Sequence, residues 1–242
     1  MTTAAVLVAA GRGERLGVGG PKALLPLAGR TLLEHALDGL RGAGVSRLVV
    51  VHPPGVGETA AQLAPDAELV VGGDTRTASV RAGLAALADD VEVVAVHDAA
   101  RPLTPVEVIR DALAAVTGDV VAAAPARPVG DTLKRVVDGE VVGTVDRQEL
   151  VAVQTPQVFR REVLDAALEG GREATDDLAL VEALLADGRV RGRIVTVAGS
   201  VHGLKITWPE DLELAESLCR VIAGAAAAER SEGRGRRSRK QT

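Results

Sequence analysis

The sequence predicts an α/β domain on a doubly wound, mostly parallel sheet. Three observations carry this: β-type runs alternate with helical patterns, the first run feeds a glycine-rich basic loop, and capping boxes mark three helix starts. The expected strands cover residues 5–9, 47–52, 68–71, 91–97, 119–123 and 193–197. Thr31 with Glu34, Thr104-Pro105-Val106-Glu107 and Thr207-Trp208-Pro209-Glu210 each form a Thr-x-x-Glu box, placing helices from about residues 32, 105 and 208. Residues 131–157 break the alternation. Two short β-type segments flank Asp138-Gly139, a hairpin turn signal. Such a hairpin is either an edge decoration or an arm that embraces a partner subunit and carries Lys134, Arg135 and Arg147 to it. The expected organisation is one domain over 1–228, with the arm at about 131–157 and a disordered basic tail over 229–242.

Composition narrows the function classes. The 242 residues are 47% hydrophobic but 1% aromatic, so Ala, Val and Leu must fill the core, and base stacking on aromatic platforms is not an expected binding mode. Residues 229–242 carry +4, leaving −9 on the remainder of a chain whose net charge is −5. An acidic body disfavours nucleic acid. The lone Cys219 forms no intramolecular disulfide and favours a reducing compartment. The opening apolar run stops at Gly11, short of a secretory signal, and no run reaches a membrane span, so the expected location is the cytoplasm. His-Glu-x-x-His, Cys-x-x-Cys and Gly-x-Ser-x-Gly motifs are absent, and the four histidines are scattered. What remains is chemistry done by positioning and charge.

The loop after the first strand, Gly11-Arg12-Gly13-Glu14-Arg15-Leu16-Gly17, continues to Gly20-Pro21-Lys22. A strand entering a cationic, glycine-rich turn brings backbone close to phosphates. It is not a Walker loop, because Lys22 lies between Pro21 and Ala23. Nor is it a dinucleotide fingerprint, because the second strand ends in His52-Pro53-Pro54 without the ribose-binding acid. The absence of tyrosine also argues against a nicotinamide-dependent reductase. Two separated cations, Arg15 and Lys22, suit a triphosphate or pyrophosphate.

Three further clusters lie past strand ends, where open α/β sheets bind ligands. Gly72-Gly73-Asp74-Thr75 through Ser79 offers close backbone approach, an acceptor and a hydroxyl; Asp74 or Thr75 is otherwise a helix cap. His97-Asp98-Ala99-Ala100-Arg101 places an acid suited to Mg²⁺, which takes one or two carboxylates and completes its shell with phosphate and water. The plainer alternative is a turn acid paired with Arg101. Lys205 lies inside an apolar segment before a capped helix, so a carboxylate or an anionic ligand must face it.

Taken in order, Ala9-Ala10-Gly11 with Arg15, Pro21-Lys22, Gly72-Gly73-Asp74, His97-Asp98-Ala99-Ala100-Arg101, Asp131-Thr132-Leu133-Lys134, Val145-Asp146-Arg147, Thr155-Pro156-Gln157, Thr175-Asp176-Asp177 and Lys205-Ile206-Thr207 resemble the 2-C-methyl-D-erythritol 4-phosphate cytidylyltransferases over residues 4 to about 220. Asp177 stands where a glutamate is often seen, and Val8 where a proline is. The resemblance implies a Rossmann-like, GT-A-like nucleotidyltransferase domain with an inserted hairpin dimerisation arm, working as a homodimer. It implies transfer of CMP from CTP to methylerythritol phosphate, with Mg²⁺. By the same likeness, Ala9, Ala10, Gly11, Gly73, Asp74 and Ser79 bind CTP, and Arg15, Lys22, Arg147 and Lys205 are catalytic. Arg101, Thr132, Arg147, Thr175 and Lys205 meet the sugar-phosphate, and Asp98 holds the metal. Ribitol-5-phosphate cytidylyltransferases share several of these elements, and a catalytically silent nucleotide-binding protein is the alternative of another class.

Overall fold

A computed structural model of the chain describes residues 1–17, 19–169 and 171–238, with side chains as far as residue 224. In chain order the elements are β1 (Thr3–Val8), β2 (Pro26–Leu27), β3 (Arg30–Thr31), α1 (Leu32–Gly42), β4 (Arg47–His52), α2 (Gly57–Leu63), β5 (Glu68–Val71), α3 (Arg76–Ala85), β6 (Val93–Asp98), α4 (Val106–Ala115) and β7 (Val120–Pro128). They continue with β8 (Leu133–Val137), β9 (Glu140–Val145), β10 (Val151–Val153), β11 (Gln157–Arg160), α5 (Arg161–Glu169), α6 (Asp177–Ala186), β12 (Arg193–Ala198) and α7 (Pro209–Ser238). One sheet runs in the order β10-β7-β11-β6-β1-β4-β5, with β12 also on β7. The pairs β1–β4, β1–β6, β4–β5 and β7–β12 are parallel, and β10 and β11 are antiparallel to their neighbours.

Successive residues of β1 point to opposite faces, so both faces of the sheet are covered. Val6 packs with Val80 and Leu84 of α3, Leu164 of α5 and Val181 of α6. Leu7 packs with Leu37 and Leu40 of α1 and Ile109 of α4 on the other face. A third cluster, Leu16, Leu27, Leu32, Ile206 and Ala215, ties the basic loop to α7. Phe159 is fully buried in a core otherwise made of smaller side chains. Phe159→Ala is expected to remove about 3–5 kcal/mol of unfolding free energy, measured by chemical denaturation, because small neighbours have little reach with which to close the cavity.

Several boundaries differ from expectation. The Thr31–Glu34 capping box forms in full. Helix α4 instead starts at Val106 after Pro105, and the Thr104 hydroxyl donates to the Arg101 carbonyl at 3.1 Å, so that box does not form. At α7, Asp211 rather than Glu210 accepts from the Thr207 and Trp208 amides, each at 2.8 Å. The 131–157 excursion is shorter than expected: only β8 and β9 leave the body, while Val151–Val153 pairs with β7 and Gln157–Arg160 inserts between β6 and β7. Burial of Val158 and Phe159 holds that strand in the sheet. Asp138 and Gly139, both at positive φ, close the hairpin. The tail expected to be disordered is helical to Ser238, a continuation favoured by the high helix propensity of the alanines at 225–228. Residues 239–242 of that expected tail lie outside the described ones.

Candidate active site

The site forms where loops leave the carboxyl ends of β1, β5 and β6. Parallel pairing brings those ends together: the Ala9 amide donates to the Val51 carbonyl at 2.8 Å and the Ala99 amide to the Val8 carbonyl at 3.1 Å. The Ile206 amide donates to the Ala100 carbonyl at 2.8 Å, which brings the neighbouring Lys205 into the same space. A cavity of about 640 Å³ results, lined by Ala9, Ala10, Gly11, Arg15, Lys22, Gly73, Asp74, Ser79, Asp98 and Lys205, together with Arg12 and Arg76. The basic loop turns through Gly13 and Gly17, both left-handed, on either side of the single helical turn Glu14–Leu16. The Lys22 amide closes it on the Gly11 carbonyl at 3.2 Å. Trp208 backs Arg15, with the guanidinium 5.6 Å from the ring centre.

Close approach makes the second glycine pair necessary. A Cβ at Gly72 would meet the Ala10 Cβ at 2.6 Å, and one at Gly73 would meet the Ala78 Cβ at 2.6 Å. Thr75 rather than Asp74 caps α3, accepting from the Ala78 amide at 3.0 Å. Asp74 thereby remains on the cavity wall. Ser79 also lines it, but its hydroxyl donates inward to the Thr75 carbonyl at 2.9 Å.

The charged side chains form a network rather than isolated ligands. Asp98 Oδ2 accepts from Lys205 Nζ at 2.7 Å and Oδ1 from Arg76 Nε at 3.4 Å, while Arg76 Nη1 donates to Asp177 Oδ2 at 2.8 Å. The carboxylate required opposite Lys205 is thus Asp98, and the Asp98–Arg101 alternative is not the arrangement found. Burial pushes the Asp98 carboxyl up, but Arg76 and Lys205 together outweigh it and hold Asp98 well below the usual carboxylate range. Asp177 goes the other way, raised by burial against the single cation Arg76. Two cations against one, at the two ends of the same guanidinium, account for the opposite signs.

Burial first, then the charge of Lys205, pushes Lys22 down to about 8, with Asp98 opposing. The protonated amine is the form that attracts phosphate. In the free enzyme, kcat/KM for a phosphate substrate is therefore expected to fall as pH rises through about 8. The corresponding limb of kcat should lie at higher pH, because bound phosphates favour the charged amine. A kcat/KM that stays flat from pH 7 to 9.5 would contradict a role for that charge.

Other expected ligands lie elsewhere. Arg101 donates to the Gly203 carbonyl at 2.5 Å and to the Val153 carbonyl at 3.4 Å, bracing backbone rather than lining the cavity. Thr132 and Thr175 are exposed and outside its lining. Arg147 lies on the arm side and donates to the Val129 carbonyl at 2.9 Å. Sequence reasoning missed Arg76, and it named Thr155 and Gln157 only as part of a family motif, without a role. Thr155 Oγ1 accepts from the Asp98 amide at 3.1 Å and contacts His97 Nδ1 at 2.9 Å. Burial lowers His97 to about 4, so the ring is neutral and shares one hydrogen bond with the Thr155 hydroxyl through Nδ1. Gln157 Oε1 accepts from the Asp177 amide at 3.0 Å. No local signal pointed to Arg76, because an acid in the first turn of a helix is ordinarily met by the helix's own amides, and only the burial of Asp177 makes a cation necessary.

Asp98 and Asp74 offer carboxylates to the cavity, and no cluster of three or more His, Cys, Asp or Glu able to hold a metal occurs among the described residues. That donor set fits an ion such as Mg²⁺ that completes its shell with phosphate and water, and not a closed protein cage.

Comparison with known proteins agrees with this geometry. A family model for 2-C-methyl-D-erythritol 4-phosphate cytidylyltransferase matches residues 3–221. The chain is 48% identical over 219 residues to a protein of that name from Frankia casuarinae, covering 89% of this chain and 80% of that one. It is 46% identical over 228 residues to the one from Saccharopolyspora erythraea, covering 90% and 99%. The crystal structure of 2-C-methyl-D-erythritol 4-phosphate cytidylyltransferase from Thermus thermophilus superposes with a TM-score of 0.74 at 37% identity, covering 91% of this chain and all of that one. With both loops, the strand-end acid and the segment around Lys205 inside the matched region, the chain belongs to the 2-C-methyl-D-erythritol 4-phosphate cytidylyltransferase family.

Proposed function

We propose that the chain transfers CMP from CTP to 2-C-methyl-D-erythritol 4-phosphate, giving 4-diphosphocytidyl-2-C-methylerythritol and pyrophosphate, in isoprenoid precursor synthesis. The observation that carries the proposal is the convergence of Arg15, Lys22 and Lys205 on one cavity with Gly73 and Asp74 at its other wall. A 4-phosphate oxygen attacks the α-phosphorus of CTP in line. The bond to the bridging oxygen breaks, and pyrophosphate leaves with the electron pair. No enzyme nucleophile takes part. Charge on the equatorial and leaving oxygens is the chief difficulty, and fixed cations relieve it. Lys205 faces the α-phosphate, while Arg15 and Lys22 hold the departing pyrophosphate. Ala9, Ala10, Gly11, Gly73, Asp74 and Ser79 bound the nucleoside end. Mg²⁺, held by Asp98, would neutralise phosphate charge when bound. Arg101 braces the sugar-phosphate side through Gly203, and Thr175 contacts the sugar-phosphate from the start of α6.

A homodimer completes the site in this proposal. The hairpin bears four exposed valines, Val136, Val137, Val141 and Val142. A two-stranded hairpin with exposed apolar side chains is marginal alone and gains by docking on a second copy. Thr132 and Arg147, at the arm's base, then meet the partner's sugar-phosphate. Mixing inactive Arg147→Ala and Lys22→Ala chains should restore part of the activity, since some mixed dimers hold one intact site. No recovery with mixed dimers confirmed by mass would place Arg147 in its own chain's site. No described helix is long and apolar enough to cross a membrane, and the free Cys219 is compatible with a reducing cytoplasm. Mg²⁺-dependent pyrophosphate release from CTP, with methylerythritol phosphate and ribitol 5-phosphate in parallel, tests the reading. Release with the first alone is expected; release with the second alone overturns the substrate, and silence with both overturns the reaction.

A further inference from the structure

The guanidinium of Arg76 joins three segments that carry different parts of the site. Arg76 opens α3, two residues after Asp74 of the glycine loop. Its Nε faces Asp98 at the end of β6, and its Nη1 faces Asp177, the first residue of α6 and two residues after Thr175. Asp177 has no accessible surface, and its Oδ1 has no hydrogen-bond partner among the described residues. A buried carboxylate so sparsely satisfied is retained at a cost, which points to its one cation. Arg76 itself makes a fork in which each donor meets a different carboxylate, an arrangement a lysine cannot reproduce.

We propose that Arg76 is a positioning residue for nucleotidyl transfer: anchored by Asp177, it fixes the Asp98 carboxylate while Lys205 turns from Asp98 to the reacting phosphate. In the structure Asp98 divides its two oxygens between Lys205 and Arg76. Once Lys205 contacts phosphate, the Asp98 side chain keeps only Arg76 among those two cations. The same contact holds the start of α6, and with it Thr175, in register with the glycine loop. This rests on the reaction proposed above but adds a residue to it that contacts neither substrate in the role described.

The test compares Arg76→Lys, Asp177→Asn and the double variant. Arg76→Lys retains a charge beside Asp177 and so keeps the fold, but loses the second contact. It is expected to lower kcat by about 10-fold or more, as displacement of a reacting geometry does. CTP affinity by calorimetry should stay within about threefold and the thermal midpoint close to that of the wild type, because the nucleoside contacts are untouched. The double variant should lose no more than the worse single variant, since Asp177 acts through Arg76. Turnover of Arg76→Lys within about twofold of wild type overturns the proposal, as does a loss of CTP affinity equal to the loss of kcat/KM or a loss of activity matched by unfolded protein. Inactivity of the wild-type chain would instead sink the reaction itself, so the two failures are distinguishable.

Discussion

Lys22→Ala is expected to lower kcat by about 10²-fold or more with a smaller change in KM for CTP, the signature of an interaction stronger in the transition state than in the ground state. Lys22 is partly sheltered on the cavity wall, where its charge is less screened than on an open surface. A donor of this kind supplies about 2.7 kcal/mol or more to the transition state, which sets the size of the loss. Arg15→Ala should shift the same parameter in the same direction. Arg15 extends from a turn capped by two left-handed glycines and rests against Trp208, so its orientation is built into the loop. Steady-state kinetics with both substrates checks this; wild-type turnover in Lys22→Ala would remove the lysine from the mechanism.

Asp98→Asn is expected to lower turnover by about 10²-fold or more and to raise the concentration of Mg²⁺ needed for half-maximal rate. The side chain is nearly buried, and breaking a buried pair ordinarily costs about 3–5 kcal/mol. The loss should be smaller, about 1–2 kcal/mol, because Lys205 is 41% exposed and turns to solvent while Arg76 retains Asp177. Activity and stability therefore separate in this variant. Urea unfolding alongside Mg²⁺ titration checks both, and a variant with wild-type turnover would exclude Asp98 from the site's chemistry.

Much of the fold was legible because local signals agreed. The run Arg47–His52 has the apolar continuity of a strand covered on both faces, and it and the edge strand Glu68–Val71 occur with the expected ends. Thr31 and Glu34 share one turn of chain, so their reciprocal cap needs no tertiary help. The strand Gln157–Arg160 was invisible for the opposite reason. Its place depends on antiparallel pairing with β6 and β7, which precede it by tens of residues, rather than on any pattern within the segment itself. The Thr104 and Thr207 boxes failed where a proline shifted the helix start or a competing carboxylate, Asp211, reached back instead.

The sequence by itself placed Arg15 and Lys22 on a glycine-rich loop past the first strand, Lys205 just before the last helix and an acid at a central strand end, because motif spacing and strand order follow from covalent neighbours. Only the tertiary structure decided which charges pair. Asp98 with Lys205, and Arg76 with both Asp98 and Asp177, join residues up to 107 positions apart. Whether a charge faces solvent, a carbonyl as Arg101 does, or a second charge depends on the packing of the sheet and its helices around it, and that packing fixes both the desolvation and the distance that set its energy.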